Sequence, residues 1–123
     1  MSAESGPGFT IVHDDDVERT GNWHLVRRSL GLSSFGVNVV DVMPGEQIPE
    51  HDELDRDQEE VFAFLRGDAV IVIDGVDHPA PEGTFARLDP RHKRTVRNDG
   101  QVPAAVMIVS APSTSGYEPM GWA

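Results

Sequence analysis

The sequence predicts an all-β sandwich or barrel in a single domain, and three observations predict it. Short runs rich in β-branched and aromatic residues recur at intervals of roughly eight to twelve positions. Gly, Pro, Asn and Asp punctuate them as turn residues. No stretch of a dozen residues carries an apolar stripe of helical period.

Taken in order, Phe9 to His13 reads as a first strand and Trp23 to Arg27 as a second. Phe35 to Val42 is a third, closed by the Pro44-Gly45 turn. Pro49 to Glu60 is the best helix candidate by length, but it is dense in Asp and has no apolar face, so it reads as a loop. Glu60 to Leu65 is a strand stopped by Arg66-Gly67-Asp68. Ala69 to Ile73 follows, and Asp74-Gly75 supplies a tight hairpin into Val76-Asp77-His78. Thr84 to Leu88 comes after Pro81-Glu82-Gly83, and Arg94 to Arg97 precedes the turn Asn98-Asp99-Gly100. Pro103 to Ser110 is the last strong strand.

Residues 1–8 read as a flexible N-terminal segment, 9–112 as the β-domain and 113–123 as a C-terminal tail. The tail holds Pro112-flanked turn residues, yet it also carries Tyr117, Met120 and Trp122. Three such side chains predict a tail packed on the barrel or on a dimer partner.

Composition narrows the function classes. A chain of 123 residues can close one core without staples, and it contains no cysteine. Cys nucleophiles, Cys-zinc sites and disulfides are therefore excluded, and a reducing compartment is compatible. Met1 to Phe9 lacks a basic start leading into an apolar run, and no segment is long and apolar enough to span a bilayer. The expectation is a cytoplasmic chain without a membrane partner. A formal charge of -11 argues against nucleic acid. Eight acids lie between Glu46 and Glu60 against the single base Arg56, and five of the ten basic residues lie between Arg87 and Arg97. These segments are either two solvated surfaces or opposite walls of one pocket. The sequence has no Gly-x-Ser-x-Gly, no phosphate-cradling Gly-x4-Gly-Lys and no dinucleotide Gly-x-Gly-x-x-Gly.

The chemistry-bearing residues cluster in two stretches. Gly45 is followed after five residues by His51, then Asp52-Glu53, with Glu60 and Gly67 closing the pattern. Further on stand Gly75, Pro81-Glu82-Gly83 and Asn98. Together they resemble the two motifs of the cupin family, over about Phe35 to Pro112. The resemblance implies a cupin-type double-stranded β-helix, a jelly-roll barrel, and it implies a homodimer.

The family's metal site carries over only in part. His51 stands at the first ligand position, Glu53 replaces the second His, and Glu60 stands at the carboxylate position. The last ligand should lie four residues before Asn98, and that residue is Arg94. A guanidinium is always protonated and offers no lone pair. Pointing inward, Arg94 would repel a metal and form an ion-pair network with His51, Glu53 and Glu60. Pointing outward, it would leave His92, two residues earlier, to complete a His51/Glu53/Glu60/His92 site for manganese, iron or zinc. Metal-free, or metal only weakly held, is the favoured arrangement. Phe62 and Phe64 share the face of Glu60, either as core or as pocket walls. His13, His24 and His78 show no ligand spacing and read as structural or exposed.

Three functions follow. One is a protein that binds a small polar or anionic molecule in the barrel, with Arg94 in place of a metal-ligand His. A second, resting on the resemblance alone, is a metal-dependent small-molecule dioxygenase or isomerase, with Glu60 or His92 moving a proton. A purely structural partner in a dimeric assembly is the third.

Overall fold

The computed structural model describes residues 4–123. Eleven strands and two short helical segments run along them: β1 (Glu4–Gly6), β2 (Phe9–Ile11), a 3-10 turn (Asp14–Asp16), β3 (Arg19–Thr20), β4 (Trp23–His24), α1 (Val26–Leu30), β5 (Gly36–Val42), β6 (Gln58–Arg66), β7 (Ala69–Ile73), β8 (Val76–Ala80), β9 (Phe85–Leu88), β10 (Arg94–Arg97) and β11 (Ala104–Pro112). A six-stranded antiparallel sheet runs β3-β4-β5-β11-β6-β9. A three-stranded sheet runs β10-β7-β8. Isolated bridges, Gln47 to Arg97 and His51 to Arg94, lay the segment 47–51 along the free edge of β10. The two sheets enclose the core as a double-stranded β-helix.

Alternation along each strand puts one set of side chains between the sheets. On β6 Phe62 and Phe64 are buried, whereas Val61 and Leu65 face out. They meet Val40 and Val42 of β5, Val106 and Ile108 of β11, Ile71 of β7, Leu88 of β9, Val96 of β10 and Ile48. Each fully buried apolar side chain of this kind contributes about 1.5–3 kcal/mol.

The turns obey their residue types. Asp74 and Gly75 both adopt positive φ, the type I′ geometry that matches strand twist. Gly67 links β6 to β7 at φ +75°, and a Cβ there would lie 2.6 Å from the Pro103 carbonyl oxygen. Only glycine fits. Beyond His78, β8 runs on through Pro79 to Ala80, because an edge strand tolerates a residue without an N–H.

Two expectations differ from the structure. Residues 25–27 do not continue a strand: β4 pairs with β5 over Trp23 and His24 alone, and α1 begins at Val26. That helix ends at Gly31, which is left-handed and donates its N–H to the Arg27 and Arg28 carbonyls. The signal was present in Arg27-Arg28 followed by Gly31, a basic last turn before a glycine stop. At the N-terminus, residues 4–6 pair with 9–11 as a hairpin instead of trailing loosely. Residues 1–3 lie outside the described part of the chain. No helix among the described residues is long and apolar enough to cross a membrane.

Candidate functional site

Three segments converge on one group of side chains. Gly45, at φ +83°, reverses the chain after β5, and residues 47–51 then run beside β10. His51 and Arg94 exchange both backbone hydrogen bonds, at 3.1 and 2.8 Å. Glu53 donates its N–H to the Pro90 carbonyl, which fixes the loop over the turn before β10. Glu60 enters from β6, opposite Leu88 of β9 and Ser110 of β11. Its parity with Phe62 and Phe64 turns its carboxylate inward.

The resulting group is layered by depth. The His51 side chain is 37% exposed, Glu53 11%, Glu60 7% and Arg94 0%. His51 Nε2 lies 3.3 Å from Glu53 Oε1 and 3.8 Å from Glu60 Oε1. The same Glu60 oxygen lies 3.3 Å from Arg94 Nε, an ionic contact without hydrogen-bond alignment. The two outer nitrogens of Arg94 face elsewhere. They donate to the backbone carbonyls of His92 and Asp89. Arg94 is thus anchored at its tips and charges Glu60 from the side. The Glu60 carboxylate raises the His51 pKa above its ordinary 6.5, burial opposes this, and the Pro49 carbonyl and Glu53 add to the rise.

The structure separates the remaining candidates. Phe62 and Phe64 are 0% and 2% exposed and belong to the hydrophobic core. His92 does not join the group. Its Nδ1 lies 2.6 Å from Asp74 Oδ2, and its ring is half exposed. The reason is local: β10 begins only at Arg94, so the strand alternation that would align His92 with Arg94 does not reach it. Among the described residues, His51, Glu53 and Glu60 form the one cluster whose ligand atoms lie within 4.8 Å of one another.

The acidic and basic segments meet in part. Arg87 pairs with Glu59 at 2.7 Å and Arg94 with Glu60, so two cross-segment pairs bind β6 to β9 and β10. Arg91 and Arg97 turn to Asp89, Asp77 and Asp99 instead.

A second polar cluster escaped the sequence reading. His24 is buried, with Nδ1 2.7 Å from Asp14 and Nε2 2.6 Å from Asp41. Burial pushes its pKa down, but the hydrogen bonds and charges of Asp41 and Asp14 outweigh this and raise it. Arg19 also pairs with Asp14, and Arg66 lies 3.7 Å from Asp41. The group fastens the 3-10 turn to the six-stranded sheet. Asp41, set between Val40 and Val42, was the available signal: a carboxylate in an apolar strand needs a partner.

These features define a class: a small jelly-roll barrel that carries a mixed acid and imidazole cluster. Residues 38–110 match the model of the cupin domain, more than half of the chain, and the protein belongs to the cupin family. Among solved structures it is similar to a cupin protein from Bacteroides fragilis, with TM-score 0.77, 20% identity and coverage of 94% of this chain and 92% of that one. A sugar phosphate isomerase of the cupin superfamily from Silicibacter pomeroyi matches with TM-score 0.69 and 23% identity over 80% and 73% of the two chains. A predicted oxalate decarboxylase from Thermotoga maritima matches with TM-score 0.69 and 17% identity over 83% and 98%. Likeness at this level of identity shows the fold alone. No curated protein matches the sequence.

Proposed function

We propose that this cupin binds a small polar molecule at the mouth of its barrel, with Arg94 as the resident cation in place of a divalent metal. One observation carries the reading: Arg94, the residue that the resemblance sets at the last ligand position, is fully buried, 3.3 Å from Glu60 and pinned by two carbonyls. A guanidinium cannot ligate a metal, and this one cannot swing away without abandoning both carbonyls. A divalent ion on Glu60 Oε1 would share that oxygen with a fixed positive charge. The surroundings of His51 raise its pKa, so a metal there would compete with protons more strongly than at an ordinary imidazole. The donor set meets the distance requirement of a metal site, and the fixed positive charge of Arg94 beside Glu60 supports the metal-free reading.

The same anchoring refines the ligand. The Arg94 tips are occupied and unexposed, so an anionic head group has no direct route to them. The groups that reach the mouth are His51 and Glu53, a donor and an acceptor 3.3 Å apart. That pairing suits a hydroxyl-bearing ligand such as a monosaccharide, polyol or hydroxy acid.

The test has two arms. Metal content of protein purified without a histidine tag, followed by titration with manganese, iron and zinc, should show no stoichiometric ion. Arg94→His removes the charge and adds an imidazole, and should tighten metal binding by roughly tenfold or more, about 1.4 kcal/mol per decade. Stoichiometric metal in the wild type, or an Arg94→His variant no tighter than wild type, would overturn the metal-free assignment. For the ligand, a panel of monosaccharides, polyols and hydroxy acids should shift the amide resonances of His51 and Glu53. Shifts confined to other surfaces would refute that placement.

A competing reading is a metal-dependent isomerase or dioxygenase. It is favoured by the His51, Glu53 and Glu60 cluster and by the isomerase among the structural neighbours. The same metal titration separates the two.

A further inference from the structure

We infer that Asn38 and Ser110 form the wall that sets specificity at the ligand site, and that they select a neutral polyhydroxylated ligand, a monosaccharide or a sugar-sized polyol. Their role rests on the reading that a ligand binds beside His51 and Glu53.

Register places both residues on the inner face of the six-stranded sheet. Asn38 of β5 stands opposite Ile108 of β11, which stands opposite Phe62 of β6, and Ile108 and Phe62 belong to the core. In the next row Ser110 stands between Gly36 and Glu60, and the row ends at Leu88. Residues paired across an antiparallel sheet share a face. Asn38 therefore points the way of Phe62, and Ser110 the way of Glu60.

Both side chains lack the partners that such a position demands. Asn is depleted in strands, and a polar group turned toward a core costs free energy unless it is hydrogen-bonded. Asn98 obeys that rule: fully buried, it donates to the Val42 and Val102 carbonyls and accepts from the Gly100 N–H. Asn38 and Ser110 do not. Among the described residues neither side chain has a hydrogen-bond partner. Both residues are partly buried, and their polar atoms are not among those sealed from solvent, so another molecule can reach them. Gly36 holds the hydroxyl in place by leaving room for it. The Ser110 Oγ lies 2.5 Å from where a Gly36 Cβ would stand. The Gly36 backbone is not left-handed, so the position uses the missing side chain and not a special conformation.

Spacing and charge set the ligand class. Asn38 and Glu60 lie two strands apart with Ser110 on the strand between them, about 10 Å from first to last. A carboxamide offers a donor and an acceptor, and a hydroxyl offers both from one atom. His51 and Glu53 add a donor and an acceptor 3.3 Å apart. A ligand that meets all four must carry hydroxyls along its length and not at one end alone. It is also neutral. The wall itself has no charge, Glu53 and Glu60 bring two carboxylates, and the Arg94 tips are held by backbone carbonyls. Residues 46–60 add eight acids against the single base Arg56. That field repels an anion, so glucose or sorbitol is preferred over gluconate.

The test titrates the nitrogen-15-labelled full chain with glucose, sorbitol and gluconate. It follows the backbone amides of His51 and Glu53 together with the side-chain amide of Asn38. The neutral probes should move all three, and gluconate should bind more weakly than either. Asn38→Leu and Ser110→Ala should each weaken binding of the neutral probes by about threefold to tenfold, the worth of one neutral hydrogen bond. Their melting temperatures should be no lower than wild type, because no partner inside the chain is lost. Gly36→Ala keeps both polar groups but crowds the hydroxyl, and it should weaken binding in the same direction as Ser110→Ala. Shifts at His51 and Glu53 with an unmoved Asn38 side chain and normal binding by the variants would overturn the wall and leave the ligand site standing. No shift with any probe overturns both. A clearly lower melting temperature for Asn38→Leu would give Asn38 a structural role and refute the inference. Tighter binding of gluconate than of sorbitol would refute the neutral ligand class.

Discussion

Replacing Arg94 by methionine tests the internal-cation argument most directly. Methionine keeps an unbranched stem of comparable reach and removes the charge. Glu60, 7% exposed, would lose its fixed cation at 3.3 Å and retain only His51 at 3.8 Å. The Asp89 and His92 carbonyls would lose their guanidinium donors. Both members of the pair are more than nine-tenths buried, so solvent screening does not dilute the effect. Removing one partner of a buried pair costs about 3–5 kcal/mol. That is a large part of the roughly 5–15 kcal/mol that stabilises a domain. With a urea slope of about 1.5 kcal/mol/M, the unfolding midpoint should fall by about 2–3 M. Trp23, packed against the core, provides the fluorescence signal. The decisive comparison adds Glu60→Gln. With the carboxylate neutralised there is no uncompensated charge, so the double variant should recover about 2 kcal/mol relative to the sum of the single losses. If Arg94→Met cost less than about 1 kcal/mol, or if the two losses added within about 0.5 kcal/mol, Arg94 would not be acting as the cation for Glu60.

Two further predictions concern stability. His24 has a raised pKa, so its contribution is fully present below the unfolded value of 6.5 and is lost as pH rises through the folded one. Asp14 has a lowered pKa, so its share is present above 3.8 and is lost as pH falls through its folded value. His24→Gln should therefore cost roughly 1–3 kcal/mol near pH 6 and flatten the stability decline on the alkaline side. An unchanged slope between wild type and variant would contradict this. Asn98 is fully buried, donates from Nδ2 to the Val42 and Val102 carbonyls and accepts from the Gly100 N–H. Asn98→Ala strands those groups and should cost about 3 kcal/mol, lowering the melting temperature by roughly 10 °C. A loss below about 1 kcal/mol would show that water replaces the side chain.

Much of the barrel was readable without coordinates. The alternation Glu60-Phe62-Phe64 against Val61-Leu65 is a property of neighbouring residues, and so is the Asp74-Gly75 turn. Both are set by backbone sterics and by side-chain period, which act over a few positions. The second strand was read three residues too long, because β4 has only two residues and leaves no period to mark where α1 takes over. His24 was obscure for another reason: its partners lie 10 and 17 positions away.

The site shows the same division. Sequence alone determined that this is a β-domain and singled out His51, Glu53, Glu60 and Arg94 in the stretches that resemble the cupin motifs. Only the tertiary structure decided where the guanidinium tips go, that His92 faces Asp74 rather than the cluster, and that Tyr117, Met120 and Trp122 are largely exposed. A strand pattern repeats over two residues and survives in any piece of the chain. The pairing of a buried charge is set by distances of 3–4 Å between segments that meet only when both sheets have closed.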